Sequence, residues 1–182
     1  MKAFRIIAIL VVLAGILIAC GGGGNQPRAP QARFQPPWWN QADSPDFVFA
    51  YGIGDGTNER IARASALSNA QSQAAMAVEA RVRTMTRDFI QESGVQNPEV
   101  LRLTSQVTEA VAATTFRGAR ETNSFAADMP DGRVQVWIQY AVPIAAINGE
   151  VHGRIVNEEA LYNEFKATQA FQLLDHAVNR GP

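Results

Sequence analysis

Asp46-Phe47-Val48-Phe49-Ala50-Tyr51-Gly52-Ile53-Gly54-Asp55-Gly56 opens a stretch that continues to Glu92 with neither glycine nor proline after Gly56. Phe47, Phe49, Tyr51 and Ile53 alternate with Val48, Ala50, Gly52 and Gly54. That period of two sets large side chains on one face of a strand and small ones on the other. The glycines are expected to turn the chain sharply into a helix over residues 57–92. Thr57 is the expected N-cap, and Glu59 in the first turn suits the helix dipole. The helix is rich in alanine, the best helix former. Leu67, Ala70, Ala74, Val78, Val82, Met85 and Phe89 recur at spacings of three and four, which marks one face. Arg63, Glu79, Arg83 and Arg87 fall mostly off that face and read as solvated.

Glycines after a strand also suggest a dinucleotide loop. That motif needs glycines at the first, third and sixth positions. Counted from Gly52, the sixth position is Thr57, and the helix is still running where the acidic residue should end a second strand. A phosphate-binding loop is therefore excluded, and the segment reads as a strand-to-helix connection.

The N-terminus reads as a targeting segment, residues 1–19. Lys2 and Arg5 precede 14 uncharged residues, Ile6 to Ala19, the length of a signal-peptide core and short for a membrane span. Leu17-Ile18-Ala19-Cys20 resembles the bacterial lipobox. The resemblance implies cleavage between Ala19 and Cys20, a diacylglycerol on the sulfur and a further acyl chain, such as palmitate, on the amine. The other reading of Cys20, a buried thiol, fits poorly with its place at the end of the apolar run. It is the only cysteine, so no disulfide forms within the chain. Gly21, rather than Asp, follows it, which points to the outer membrane. Residues 20–37 hold four consecutive glycines and Pro27, Pro30, Pro36 and Pro37, the composition of a tether.

Removing 19 of 182 residues leaves 163. Without the tether about 145 remain, one domain over residues 38–182. Lys2 and Arg5 leave 14 of the 16 basic residues against 17 acidic ones, a net −3. Nothing in that balance suggests nucleic acid.

Trp38-Trp39 after two prolines reads as the pin that fixes the start of the domain onto its core; the alternatives are a ligand platform and a membrane-facing anchor. Gly94 and Pro98 break the long helix. Asn97-Pro98-Glu99 then starts a companion helix with stripe Val100, Leu103, Val107 and Val111. Residues 114–127 read as a polar strand, Met129-Pro130-Asp131-Gly132 as a tight turn, and residues 133–142 as the clearest strand. Pro143 ends it. An irregular stretch through Gly149 and Gly153 is expected next, then one terminal helix over 157–179 carrying Leu161, Phe165, Ala167, Phe171, Leu174 and Val178.

These elements predict an α+β fold: a small antiparallel sheet in the order first, third, second strand, packed with the long helix, its companion and the terminal helix. A 36-residue helix is about 54 Å long, whereas a compact domain of this size is roughly 38 Å across. The helix must bend or project as a hairpin with its companion. The long helix should cover the face of Val48, Ala50 and Gly52. The terminal helix, or else another subunit, should cover Phe47, Phe49 and Tyr51.

Pro37-Trp38 with Tyr51-Gly52-Ile53-Gly54, the run Arg63-Ala64-Ser65-Ala66 into Gln71-Ser72-Gln73-Ala74, and Lys166-Ala167-Thr168-Gln169-Ala170-Phe171 together resemble the LPP-20 lipoprotein family. The resemblance extends to the N-terminal domain of flagellar assembly protein T, an envelope protein. It implies a dodecin-like sheet with helices and an envelope location, and it supplies no catalytic residue.

Chemistry is thinly represented. His152 and His176 are 24 residues apart and Cys20 is assigned to lipid, so no metal set is formed. The serines are scattered and no base is paired with them. Glu158-Glu159 suits a helix start better than a carboxylate pair. The expectation is a non-enzymatic lipoprotein without cofactor, facing the periplasm from the outer membrane. Its partners would be the membrane, through the lipid anchor, envelope proteins and further copies of itself. It would act as a structural or protein-interaction module. The alternative is a binder of small apolar ligands through aromatics such as Phe47, Phe49, Trp137 and Tyr140.

Overall fold

The computed structural model describes residues 35–179. The signal segment, the Ala19 and Cys20 cleavage position, Gly21 and the tether up to residue 34 lie outside the described residues. Elements follow in the order β1 (Phe47–Gly56), α1 (Glu59–Ser93), α2 (Pro98–Ala112), β2 (Arg120–Asp128), β3 (Val134–Pro143), α3 (Ile144–Val156), α4 (Glu159–Phe165) and α5 (Gln169–Asn179). The sheet is antiparallel with order β1-β3-β2, and α1 lies on one face, as the sequence predicts.

Gly52, Gly54 and Gly56 do not turn the chain. They continue β1, pairing with Ile138, Val136 and Val134. Their purpose is contact. A Cβ at Gly52 would lie 2.0 Å from the Ala66 carbonyl oxygen, and one at Gly54 2.2 Å from that of Ala62. The inner face of β1 thus grows from Gly54 and Gly52 to Ala50 and Val48. The helix residues beside it grow from Ala62 and Ala66 to Ala74 and Val78. Strand and helix diverge as their side chains enlarge. The N-cap is Asn58 rather than Thr57, and its side chain accepts from the Ile61 N–H at 3.1 Å.

The buried residues of α1 are Ala62, Ala66, Ala70, Ala74, Val78, Val82, Thr86 and Phe89. Leu67 and Met85, expected on this stripe, are only half-buried, and Ala62, Ala66 and Thr86 complete it. A step of four residues overshoots a full turn by about 40°. The buried stripe therefore winds around the helix, facing the sheet at its start and a helical layer at its end.

Length demands that second layer. Ten residues of β1 extend roughly 33 Å, and 35 residues of α1 about 52 Å. The companion α2 starts as predicted, with Asn97 capping the Glu99 N–H and Pro98 at the first position. Gly94, at φ 67°, ends α1. The hairpin tip is not bare, however. Phe165 and Phe171 close on Phe89 at 5.7 and 6.0 Å between ring centres.

Three further expectations are corrected. β2 begins at Arg120, because residues 114–119 form turns and Gly118 sits at φ 82°. The stretch through Gly149 and Gly153 is helix α3, which buries Ile147, Val151 and Ile155 at spacings of four. The terminal helix is two helices. Thr168 Oγ1 donates to the Phe165 carbonyl at 2.8 Å and accepts from the Phe171 N–H at 3.2 Å, so α4 stops and α5 starts there. Ala167, expected on the apolar side, is exposed at this break.

Candidate functional site

The sheet face opposite α1 carries no helix among the described residues. α4 and α5 pack on the far half of α1 instead of on Phe47, Phe49 and Tyr51; their Phe165 and Phe171 close on Phe89, which the sheet does not reach. The strand registers set three rows across this face: Phe49, Ala141 and Arg120; Tyr51, Gln139 and Asn123; Ile53, Trp137 and Phe125.

The segment over residues 36–46 straps part of the face. Trp39 packs on Tyr51 at 5.1 Å, and Trp38 on Trp39 at 6.2 Å. The tryptophan pair pins the start of the domain, as its sequence context predicts. Tyr51 Oη donates to the Gln41 carbonyl at 3.0 Å. Asp43 accepts from the Phe49 N–H, and Ser44 Oγ from the Phe47 N–H, both at 2.9 Å. These side chains satisfy donors on the free edge of β1 that would otherwise invite another strand.

Gln139 lies beneath the strap and is only 1% exposed. Its Oε1 accepts from Thr122 Oγ1 at 2.9 Å and Asn123 Nδ2 at 2.6 Å. Its Nε2 donates to Tyr51 Oη at 3.1 Å and Gln41 Oε1 at 3.4 Å. A buried amide needs such partners. Sequence reasoning recognised the strand over residues 133–142 and missed this role. The available signal is a glutamine at the centre of the strand, between Ile138 and Tyr140.

Beyond the strap the face turns apolar. Trp137 is buried, with Phe125 against it at 5.6 Å between ring centres. Ile53 and Phe125, on either side of Trp137, are 39% and 41% exposed. Arg120 lies over the Phe47 ring at 5.5 Å. This row offers shape and apolar surface rather than reacting groups.

The remaining candidates are dispersed. His152 Nε2 is 2.8 Å from Asp175 Oδ1, and its ring stacks on Phe171. The pair ties α3 to α5, and no hydroxyl is hydrogen-bonded to His152 among the described residues. His176 stands outside that pair. Glu158 and Glu159 open α4 as predicted. Among the described residues no three His, Cys, Asp or Glu side chains cluster to hold a metal.

The shifted carboxyls lie outside the sheet face. Hydrogen bonding from the Arg133 side chain holds Asp131 below the usual carboxylate range, and Arg102 does the same for Glu99. Arg63 bridges α1 and β2 through Glu121 at 2.6 Å, so it is paired rather than merely solvated.

A cavity of about 340 Å³ lies between α1, the end of α2, the connection over residues 113–119 and β3. Its walls are mostly alanine and valine. Of the aromatics expected to line a pocket it contains Tyr140, but not Phe47, Phe49 or Trp137. No helix of the described residues is long and apolar enough to cross a membrane.

No family model, curated protein or solved structure matches this chain.

Proposed function

We propose that the chain is a lipid-anchored envelope lipoprotein of the LPP-20 kind, a non-catalytic protein-interaction module held at the outer membrane and facing the periplasm. The anchor rests on Leu17-Ile18-Ala19-Cys20 at the end of a charge-free run. Each acyl chain adds about 0.8 kcal/mol per buried methylene, so two or more hold a protein firmly. The observation that carries the interaction role is the helix-free sheet face, with Ile53 and Phe125 exposed on either side of Trp137. Exposed apolar rows of this kind suit protein partners. Cys20→Ser should leave an unprocessed precursor that takes up no labelled fatty acid; normal labelling would remove the anchor from the proposal. A photo-crosslinking amino acid at Phe125 should capture envelope proteins in intact cells. Capture no greater than from Met76, which is 53% exposed on α1, would remove the interaction role.

The second reading, a binder of small apolar ligands, is supported by the 340 Å³ cavity beside Tyr140. That volume is at the low end of ligand pockets, roughly 300–1,000 Å³. Val78→Trp would fill it, and an apolar dye that still bound to this variant would count against the cavity.

A further inference from the structure

A groove of about 290 Å³ runs between α1, α3 and α5, and its walls include Arg81, Met85, Asp88, Phe89, Leu173 and Leu174. Leu173 is 65% exposed, the highest value for a large apolar side chain among the described residues. Arg81 Nε is buried without a hydrogen-bond partner. Neither Arg81 nor Asp88 belongs to any ion pair among the described residues.

Arg81 and Asp88 are seven residues apart, two helical turns or about 10 Å, with Met85 between them. The groove is thus positive at one end, negative at the other and apolar in the middle. An anionic amphiphile would satisfy Arg81 but meet Asp88. An antiparallel copy of α1 opposes both with the opposite charge, because a two-fold axis sets Asp88 of each copy against Arg81 of the other. A parallel copy would oppose like charges.

We infer that this face is the contact between two copies of the chain, related by a two-fold axis beside Met85. The contact uses a different surface from the sheet face and does not depend on the lipid anchor.

The test uses the full-length chain in cells, with Met85→Cys and a short bis-maleimide crosslinker. Met85 beside the axis should give a homodimer band well above that of the unaltered chain, which sets the background from Cys20. Met76→Cys, on another side of the helix and more exposed, should stay at background. Arg81→Glu or Asp88→Lys added to Met85→Cys should cut the dimer by about tenfold or more, because like charges are then opposed. The double exchange, Arg81→Glu with Asp88→Lys, should restore it. Circular dichroism of each single variant should match the unaltered chain, which separates loss of the contact from loss of the fold. Failure of Met85→Cys to exceed Met76→Cys overturns the inference, as does a double exchange no better than the single ones. A band from Met85→Cys to a different protein in place of the homodimer overturns it too, since the groove would then serve another occupant.

Discussion

A methyl group added at Gly52 or Gly54 has no room, because helix backbone rather than a yielding side-chain end occupies the space. Gly52→Ala must push α1 off the sheet, and overpacking of this sort destabilises by about 1–3 kcal/mol. Thermal unfolding should fall by ~2–4 °C for each kcal/mol lost; an unchanged midpoint would refute the contact. The glycines announce themselves in the sequence, but their pattern alone does not separate a turn from a close approach. Both uses exploit the missing Cβ, and only the position of the helix decides between them. Gln139 presents a related problem. Its four partners come from three segments distant in sequence: Gln41, Tyr51 and the pair Thr122 and Asn123. Gln139→Leu keeps the volume roughly and leaves those polar groups without their shared partner. It should cost about 1–3 kcal/mol and loosen the strap, read as a red shift of tryptophan emission from Trp39. A variant with native stability and emission would show that water replaces the amide without penalty.

At the level of elements, periodicity located β1, α1, α2 and β3 because each carries a long, regular pattern. It failed where glycine interrupts such a pattern. Gly149 and Gly153 suggested an irregular stretch, yet Ile147, Val151 and Ile155 bury one continuous side of α3. Tertiary burial there outweighs the propensity penalty of about 1 kcal/mol per glycine. Nothing lies within 4 Å of a Cβ built on either glycine. Gly149→Ala and Gly153→Ala should therefore each stabilise by about 0.4–1 kcal/mol, measured as a higher denaturant midpoint with unchanged slope. Destabilisation by either would mean that the helix needs those glycines for a packing change. The single terminal helix failed for the opposite reason. Residues 157–179 hold no glycine or proline, and the break at Thr168 is made by one hydroxyl that bonds the backbone on both sides. Threonine gives no such warning in a sequence, because it sits in helices as well as before them.

Over the whole described domain, α1 joins two packed regions. Its first half meets the sheet through Ala62, Ala66 and Ala70 against Val136 and Ile138. Its second half meets helices through Val78, Val82 and Phe89 against Ile147, Val151, Leu161, Phe165, Phe171 and Leu174. The sequence indicated a helix too long for its sheet, which is the reason a second layer exists. It did not indicate where that layer sits, because the aromatics of β1 and Phe89 of α1 compete for the same terminal residues. Truncation after Asn157 separates the outcomes. Leu161, Phe165, Phe171 and Leu174 would leave, and burial of each such side chain contributes roughly 1.5–3 kcal/mol. The sheet, its strap and the first half of α1 have no extensive contact with α4 or α5 to lose. Hydrogen exchange of the truncated chain should therefore show residues 78–93 losing protection while residues 134–142 keep most of theirs. Tryptophan emission from the strap should stay close to that of the complete chain, because α4 and α5 never covered Tyr51. Loss of protection spread evenly over sheet and helix would show one cooperative unit, with the terminal helices supporting the sheet face through α1 rather than merely completing the far end of it.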